Sequence, residues 1–200
     1  MHKFKVVLFP VLLFLAQLGW CESAPIPLLE NSANQIIDTL KKNKSTLKSN
    51  HQVIHQAVAR YLLPIVDVQG MARSVLGRQA WAKASASERA AFTHEFTQLV
   101  IRTYANPLAE YSDETVRFLP LRAGANARFV RVNSIIVRSN GQNIPLSYSL
   151  VAKNGQWKIY DLSVEGVSLL QSFRSQFSQA LQNESMQALI KQMQQKRLVS

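Results

Sequence analysis

The 200-residue chain has a single cysteine, Cys21, so it cannot close an internal disulfide. That cysteine falls in an N-terminal stretch expected to be removed. What remains is a domain held by its apolar core alone, with no thiol to serve as a nucleophile or as a thiolate metal ligand. The chain also lacks an apolar run long enough to span a bilayer. Its longest, Val6 to Leu18, has 13 residues with Gln17 among them, where about 20 are needed. There is no internal repeat, no low-complexity tract and no linker, which points to one domain. Charged residues make up only 18% against 47% hydrophobic, a balance that excludes disorder. Acidic residues are outnumbered by basic ones, 12 to 23, for a formal net charge of +11.

The basic start MHKFK followed by a short apolar run fits a secretory signal better than a membrane anchor. Gly19 and Cys21 place small residues at the −3 and −1 positions of a cut after Cys21, and a cut after Ser23 is the alternative. A cut after Ala24 is disfavoured by Pro25. Lipidation of Cys21 is disfavoured by the bulky Trp20 before it. Residues 1–23 are therefore expected to be a cleaved signal peptide, and residues 24–200 a single domain in the periplasm. Such a charge balance in a cytosolic protein would point first to nucleic acid. Export sets nucleic acid aside and leaves anionic membrane surfaces, acidic partner proteins or solubility alone.

Helix-period segments precede and follow a strand-period region, the signature of an α+β fold. Helices are expected over 24–112, the sheet over 113–164 and helices again over 165–197. Leu29, Ala33, Ile36, Ile37 and Leu40 share a face between Pro27 and Lys42. Asn50 is placed to cap a second helix, and Asp67 a short third one closed by Gly77. Ser85 and Glu88 form a capping box. The helix it opens carries Phe92, Phe96, Leu99, Val100 and Tyr104, and Pro107 should kink or end it.

Between Thr115 and Val164 the period falls to two. Asn140-Gly141 and Asn154-Gly155 are hairpin signals. A two-residue loop at Asn154-Gly155 pairs Ala152 with Trp157 and Leu150 with Ile159. At Asn140-Gly141 the same loop would mix the faces. A three-residue loop with Gly141 as the left-handed residue instead sets Val130 opposite Leu150, Val132 opposite Tyr148 and Ile136 opposite Ile144. The result is a four-stranded antiparallel meander with one apolar face under the helices.

Catalytic constellations are scarce. His51 and His55 have a helical metal-ligand spacing, but they lack the glutamate of a zinc protease motif and a nearby third ligand, so a structural role is expected. Ser168 has no companion histidine and no Gly-x-Ser-x-Gly elbow. It is expected to start a helix or bond backbone. In the expected register Asp161 lies on the inner face, where it would act as a general base or else bond a neighbouring amide near the strand end.

PIVDVQGMARSVLGRQAW at 64–81, SERAAFTHEFTQLVIRTYANPLAEY at 87–111 and WKIYDLSVEGVSLLQSFRSQF at 157–177 resemble the toluene-tolerance family, soluble periplasmic phospholipid carriers of the Mla pathway of outer-membrane lipid asymmetry. The order and spacing of Pro64-x-x-Asp67, Met71-Ala72-Arg73, Leu76-Gly77 with Trp81, and Trp157-x-x-x-Asp161 before Glu165-Gly166-Val167-Ser168-Leu169 carry the resemblance.

It implies a twisted sheet of the nuclear-transport-factor-like type, wrapped by about six helices around an apolar lipid cavity. It implies no cofactor and no catalytic residue, with phospholipid as cargo and a monomeric carrier. Its docking partners would be an inner-membrane ABC transporter complex with a substrate-binding ring and an outer-membrane lipoprotein–porin complex. The expected cavity lining is Val68, Met71, Val75, Phe92, Phe96, Val100, Tyr104, Val130, Val132, Tyr148, Leu150, Ile159, Val167, Leu170 and Phe173. The alternative is an exported isomerase or hydrolase of a small apolar substrate, with Asp161 and Tyr148 or Tyr104 as its acid–base pair. A basic adaptor that binds only proteins is a third reading.

Overall fold

The computed structural model describes residues 24–111, 113–121 and 127–195. The expected signal peptide at 1–23 lies outside them, as do the side chains of Tyr104 and Pro107. Six α-helices and an antiparallel sheet make up the described chain: α1 (Pro25–Lys42), α2 (Gln52–Ala57), α3 (Val68–Lys83), α4 (Ala86–Ala109), β1 (Thr115–Phe118), β2 (Phe129–Val137), β3 (Asn143–Lys153), β4 (Gln156–Val164), β5 (Val167–Ser168), α5 (Leu169–Asn183) and α6 (Met186–Gln194). The sheet runs β1-β2-β3-β4-β5 in chain order. It has five strands where four were expected.

The extra strand comes from Glu165-Gly166. Both residues take positive φ, 50° and 83°, as do Asn154 and Gly155 at 53° and 72°. Positive φ at both central residues makes a two-residue hairpin, so the chain doubles back for one short strand before α5 begins.

The expected pairings hold. Ala152 lies opposite Trp157, Leu150 opposite Ile159, Val130 opposite Leu150, Val132 opposite Tyr148 and Ile136 opposite Ile144. The turn at Asn140-Gly141 is the bulged one: Arg138 and Gln142 close it, and Gly141 has φ 81°.

Local capping decides where the helices begin. Asp67 accepts from the Gly70 amide at 3.2 Å. Ser85 and Glu88 bond reciprocally, Ser85 N to Glu88 Oε2 at 2.8 Å and Glu88 N to Ser85 Oγ at 3.2 Å. Gly77 closes the first helical stretch as expected: its φ of 76° and ψ of 164° are non-helical, and a second stretch follows it to Lys83, so α3 is two helical pieces meeting at a kink. Arg89 on α4 donates to the carbonyls of Trp81 and Ala82 at 2.8 and 3.2 Å, which satisfies the groups a helix end leaves open. Pro107 does not end α4, which continues to Ala109. Buried Ala105 and Ala109 pack there with Tyr111, Leu40 and Ile101 and hold the last turn despite the missing N–H.

The core has three parts. One is helical, from α3, α4, α5 and α6. A second joins α1, α2 and the C-terminal half of α4. The third lies on the sheet's inner face, where Val130, Val132, Leu150, Trp157 and Ile159 meet Leu29 of α1, with Leu62, Ile65 and Val66 against them.

Candidate functional site

The expected lining residues divide between two of these cores. Met71, Val75, Phe92, Phe96 and Phe173 are buried in the helical core, with Val100 and Leu170 packed against it. Their aromatic rings touch. Phe92 meets Phe177 edge-on at 5.4 Å, Phe96 meets Phe173 edge-on at 5.4 Å, and Phe92 stacks on Phe96 at 6.0 Å. Ring contacts of this kind are those of a filled interior.

Val130, Val132, Tyr148, Leu150 and Ile159 lie together on the inner face of the sheet. Val66 packs against both groups. Val68, at the start of α3, is half-buried. Two open grooves of the described surface, about 410 and 390 Å³, run along the polar side of α5 and between α4 and α6, away from the inner face.

The inner face is not covered evenly. The 64–67 segment is stitched to β4 and the end of β3: Asp67 N donates to Ile159 O at 2.8 Å, Lys158 Nζ to Pro64 O at 2.7 Å, and Lys153 Nζ to Asp67 Oδ1 at 2.9 Å. Further along the strands, one row crosses the sheet as Phe118, Ser134, Leu146, Val164 and Val167. Ser134 is buried, Leu146 and Val164 are half-buried, and Val167 is 64% exposed. The inner face therefore opens toward β5. The expected place of Val167 on the inward side of the last long helix is corrected. Val167 belongs to an edge strand, and its side chain stands at the open rim because helix α5 begins only at Leu169.

Asp161 is also corrected. Leu150 pairs with Ile159, but Ser149 pairs with Asp161, so Tyr160 is an extra residue, a β-bulge. One inserted residue reverses the face of everything after it. Asp161 thus leaves the face of Leu150 and Tyr148, and Leu162 lies opposite Tyr148 instead. The carboxylate accepts from Ser168 Oγ at 2.7 Å, Leu170 N at 3.0 Å and Leu162 N at 2.9 Å. Ser168 in turn accepts from Gln171 N at 3.1 Å as the cap of α5. Both residues fasten the N-terminus of α5 to β4, the amide-bonding role the sequence offered as one of two.

The bulge separates Asp161 from Tyr148, one of the two tyrosines of the enzyme reading; the side chain of the other, Tyr104, lies outside the described residues. Burial raises the pKa of the Tyr148 phenol, which keeps it protonated, and the residue facing it is apolar. His51 is the N-cap of α2 and His55 lies in its last turn. No group of three or more His, Cys, Asp and Glu converges among the described residues.

A test of this assignment is the replacement of Asp161 by alanine. Three hydrogen bonds to a carboxylate disappear at a half-buried site, at a cost of about 2 kcal/mol. The expected result is a lower urea midpoint with vesicle-to-vesicle lipid transfer by the folded fraction unchanged. A well-folded variant that holds lipid but transfers none would return Asp161 to a chemical role.

Val130, Val132, Tyr148, Leu150 and Ile159 share one face, as the period of two predicts. Sequence reasoning missed Ser134, which alternates with Val130 and Val132 on that face and is buried. The signal was there in the period of two, but a serine in an apolar row reads as an ordinary strand residue. It also missed the β5 hairpin, whose only mark is a glycine after Glu165.

Known proteins share this architecture. The family model described as MlaC protein matches residues 30–195. The toluene tolerance protein ttg2D of Pseudomonas putida is 29% identical over 174 residues, which cover 87% of this chain and 78% of that one. The intermembrane phospholipid transport system binding protein MlaC of Haemophilus influenzae is 26% identical over 196 residues, covering 96% of this chain and 91% of that one. A phospholipid-binding protein from Ralstonia solanacearum, solved in complex with a phospholipid, has the same fold. Its TM-score is 0.79 at 24% identity, covering 87% of this chain and 98% of that one.

Proposed function

The chain belongs to the MlaC protein family, and from that premise we propose that it is a periplasmic phospholipid carrier, a transport protein rather than an enzyme. The observation that carries the proposal is the family match along 30–195, joined to an inner sheet face that is apolar, rich in branched residues and open at one edge. A relative is named as the binding protein of an intermembrane phospholipid transport system. Among the described residues no helix is long and apolar enough to cross a membrane.

The physical task is to carry acyl chains through water. Each buried methylene gains about 0.8 kcal/mol, so two chains of about 16 carbons represent roughly 25 kcal/mol. A bilayer already supplies that stabilisation. A carrier must come close to it for lipid to enter, and must not greatly exceed it, or lipid would not leave. The sheet-side residues Val130, Val132, Tyr148, Leu150 and Ile159 are the proposed wall. Met71, Val75, Phe92, Phe96, Val100, Leu170 and Phe173 are the packed helical core that stiffens it.

In this structure α1 and the 62–66 segment rest on the wall through Leu29, Leu62, Ile65 and Val66. Room for two chains, at the upper end of the usual range near 1,000 Å³, requires these contacts to part and lipid to replace them. Apolar surface exchanges one apolar partner for another, so the wall never faces water. The mouth is proposed at the β4–β5 edge, where Leu146 and Val164 are half-buried and Val167 is exposed.

In this scheme the carrier is monomeric. It exchanges cargo with an inner-membrane ABC transporter complex on one side of the periplasm and an outer-membrane lipoprotein–porin complex on the other. A net charge of +11 suits approach to acidic partners and anionic bilayers.

Solvent extraction of the purified periplasmic protein followed by mass spectrometry tests the proposal. Two-chain phospholipid at close to one molecule per chain is the expected result. Protein that stays free of lipid, even after incubation with phospholipid vesicles, would overturn it.

A further inference from the structure

Two hydroxyls, those of Ser134 and Tyr148, stand on the inner face of the sheet. Ser134 is 1% exposed, and its Oγ has no hydrogen-bond partner. Its neighbours on the same face of β2 are Val130 and Val132, and valine or alanine would fill the position without stranding a polar group. Tyr148 lies in the adjoining row, opposite Val132. Phe118 stacks on its ring at 5.9 Å and fixes the ring's place. The two hydroxyls are near neighbours, close enough for Ser134 to interact with the phenol and lower its pKa against the rise that burial causes. No hydrogen bond of ordinary geometry joins them. Buried tyrosine and serine hydroxyls normally find partners. Here two donors stand together on an otherwise apolar wall.

Their position says what they suit. Ser134 is in the row that runs through Leu146 and Val164 to the exposed Val167. A ligand entering at that rim slides its hydrocarbon over half-buried aliphatic side chains and past these hydroxyls, and its polar end reaches them last. Hydrocarbon offers a hydroxyl nothing to accept a proton. The first acceptor above each acyl chain of a phospholipid is its ester carbonyl, a neutral oxygen that matches neutral O–H donors.

We infer that Ser134 and Tyr148 form a polar station in the lipid site, donating hydrogen bonds to an ester carbonyl of the cargo and setting how deep the chains slide. The inference rests on the carrier function proposed above. It assigns the site a chemical preference: ester-linked lipid over ether-linked lipid, which has the same shape and no carbonyl.

The experiment offers the mature protein vesicles holding equal amounts of diacyl and dialkyl phospholipid with the same headgroup and chain length. Bound lipid is then counted by mass spectrometry. Wild type is expected to enrich the ester form roughly three- to tenfold, the range of one net neutral hydrogen bond. Ser134→Ala and Tyr148→Phe should each bring the ratio close to one while still binding lipid. Ser134→Ala should also melt no lower than wild type when lipid-free, because it removes a buried group without a partner. Wild type that loads both lipids equally overturns the station and leaves the carrier function standing. Enrichment that survives both substitutions overturns the assignment to these residues. Wild type that loads neither lipid overturns the carrier function itself.

Discussion

Phe96→Ala is expected to lower the free energy of unfolding by about 3–5 kcal/mol, a large share of the roughly 5–15 kcal/mol that holds a domain together. Phe96 is 2% exposed. Its ring stacks on Phe92 at 6.0 Å and meets Phe173 and Phe177 edge-on at 5.4 and 6.1 Å. Three other rings thus frame the space that truncation leaves. They come from α4 and α5, and two helices cannot close that gap without losing contacts elsewhere. With roughly 2–4 °C lost per kcal/mol for a domain of this size, the melting temperature should fall by about 10 °C. The check is a urea titration with unchanged m-value, run beside lipid extraction. Lipid per folded molecule should be unchanged, because Phe96 belongs to the helical core. A stable variant that comes out empty would move Phe96 into the wall of the lipid site.

The converse is expected on the sheet. Val132→Glu should cut retained phospholipid at least tenfold at neutral pH. Val132 is 0% exposed, at the centre of the inner face between Val130 and Ser134. A carboxylate there is desolvated, which costs several kcal/mol or forces protonation. Burial favours the neutral form, so the folded-state pKa of the new group lies above its unfolded value of about 4.3. The penalty is therefore least below about pH 4.3 and grows as pH rises through the folded-state pKa. Lipid loading should return on acidification, while Val132→Gln, uncharged throughout, should show no such pH dependence. Mass spectrometry across the pH range, with circular dichroism melts alongside, measures both. A Val132→Glu protein that is fully loaded and normally stable at pH 8 would remove this face from the site. Val167→Glu, at the rim, should melt with wild type, as exposed substitutions do within about 0.5 kcal/mol.

The two residues were indistinguishable in the sequence. Both Phe96 and Val132 are apolar members of a periodic stripe, and periodicity reports only that a residue faces inward. Which of three cores it faces depends on how α3 to α6 pack apart from the sheet. That partition rests on contacts between segments far apart in the chain, such as Phe96 with Phe177.

What the sequence by itself determined is what local chemistry decides. Asn154-Gly155 and Gly141 set two turns, and alternation then left one register that buries a single face, so every expected pair from Val130–Leu150 to Ala152–Trp157 is present. Asp67, Ser85 with Glu88, and Ser168 have side chains that reach the first free amides of a helix, and each starts one. The tertiary structure alone decided the rest. A two-residue strand is too short to show a period, so β5 was hidden and Val167 moved from a helix wall to an open rim. The bulge at Tyr160 adds one residue and turns Asp161 away from Tyr148, an effect no period-two pattern can carry, because the pattern presumes unbroken pairing. Gly77 breaks α3 as its local chemistry predicts. Pro107 is a local helix breaker too, yet α4 continues past it to Ala109 on the packing of Ala105 and Ala109 with Leu40. There a partner distant in sequence outweighed the preference of proline against a helix interior.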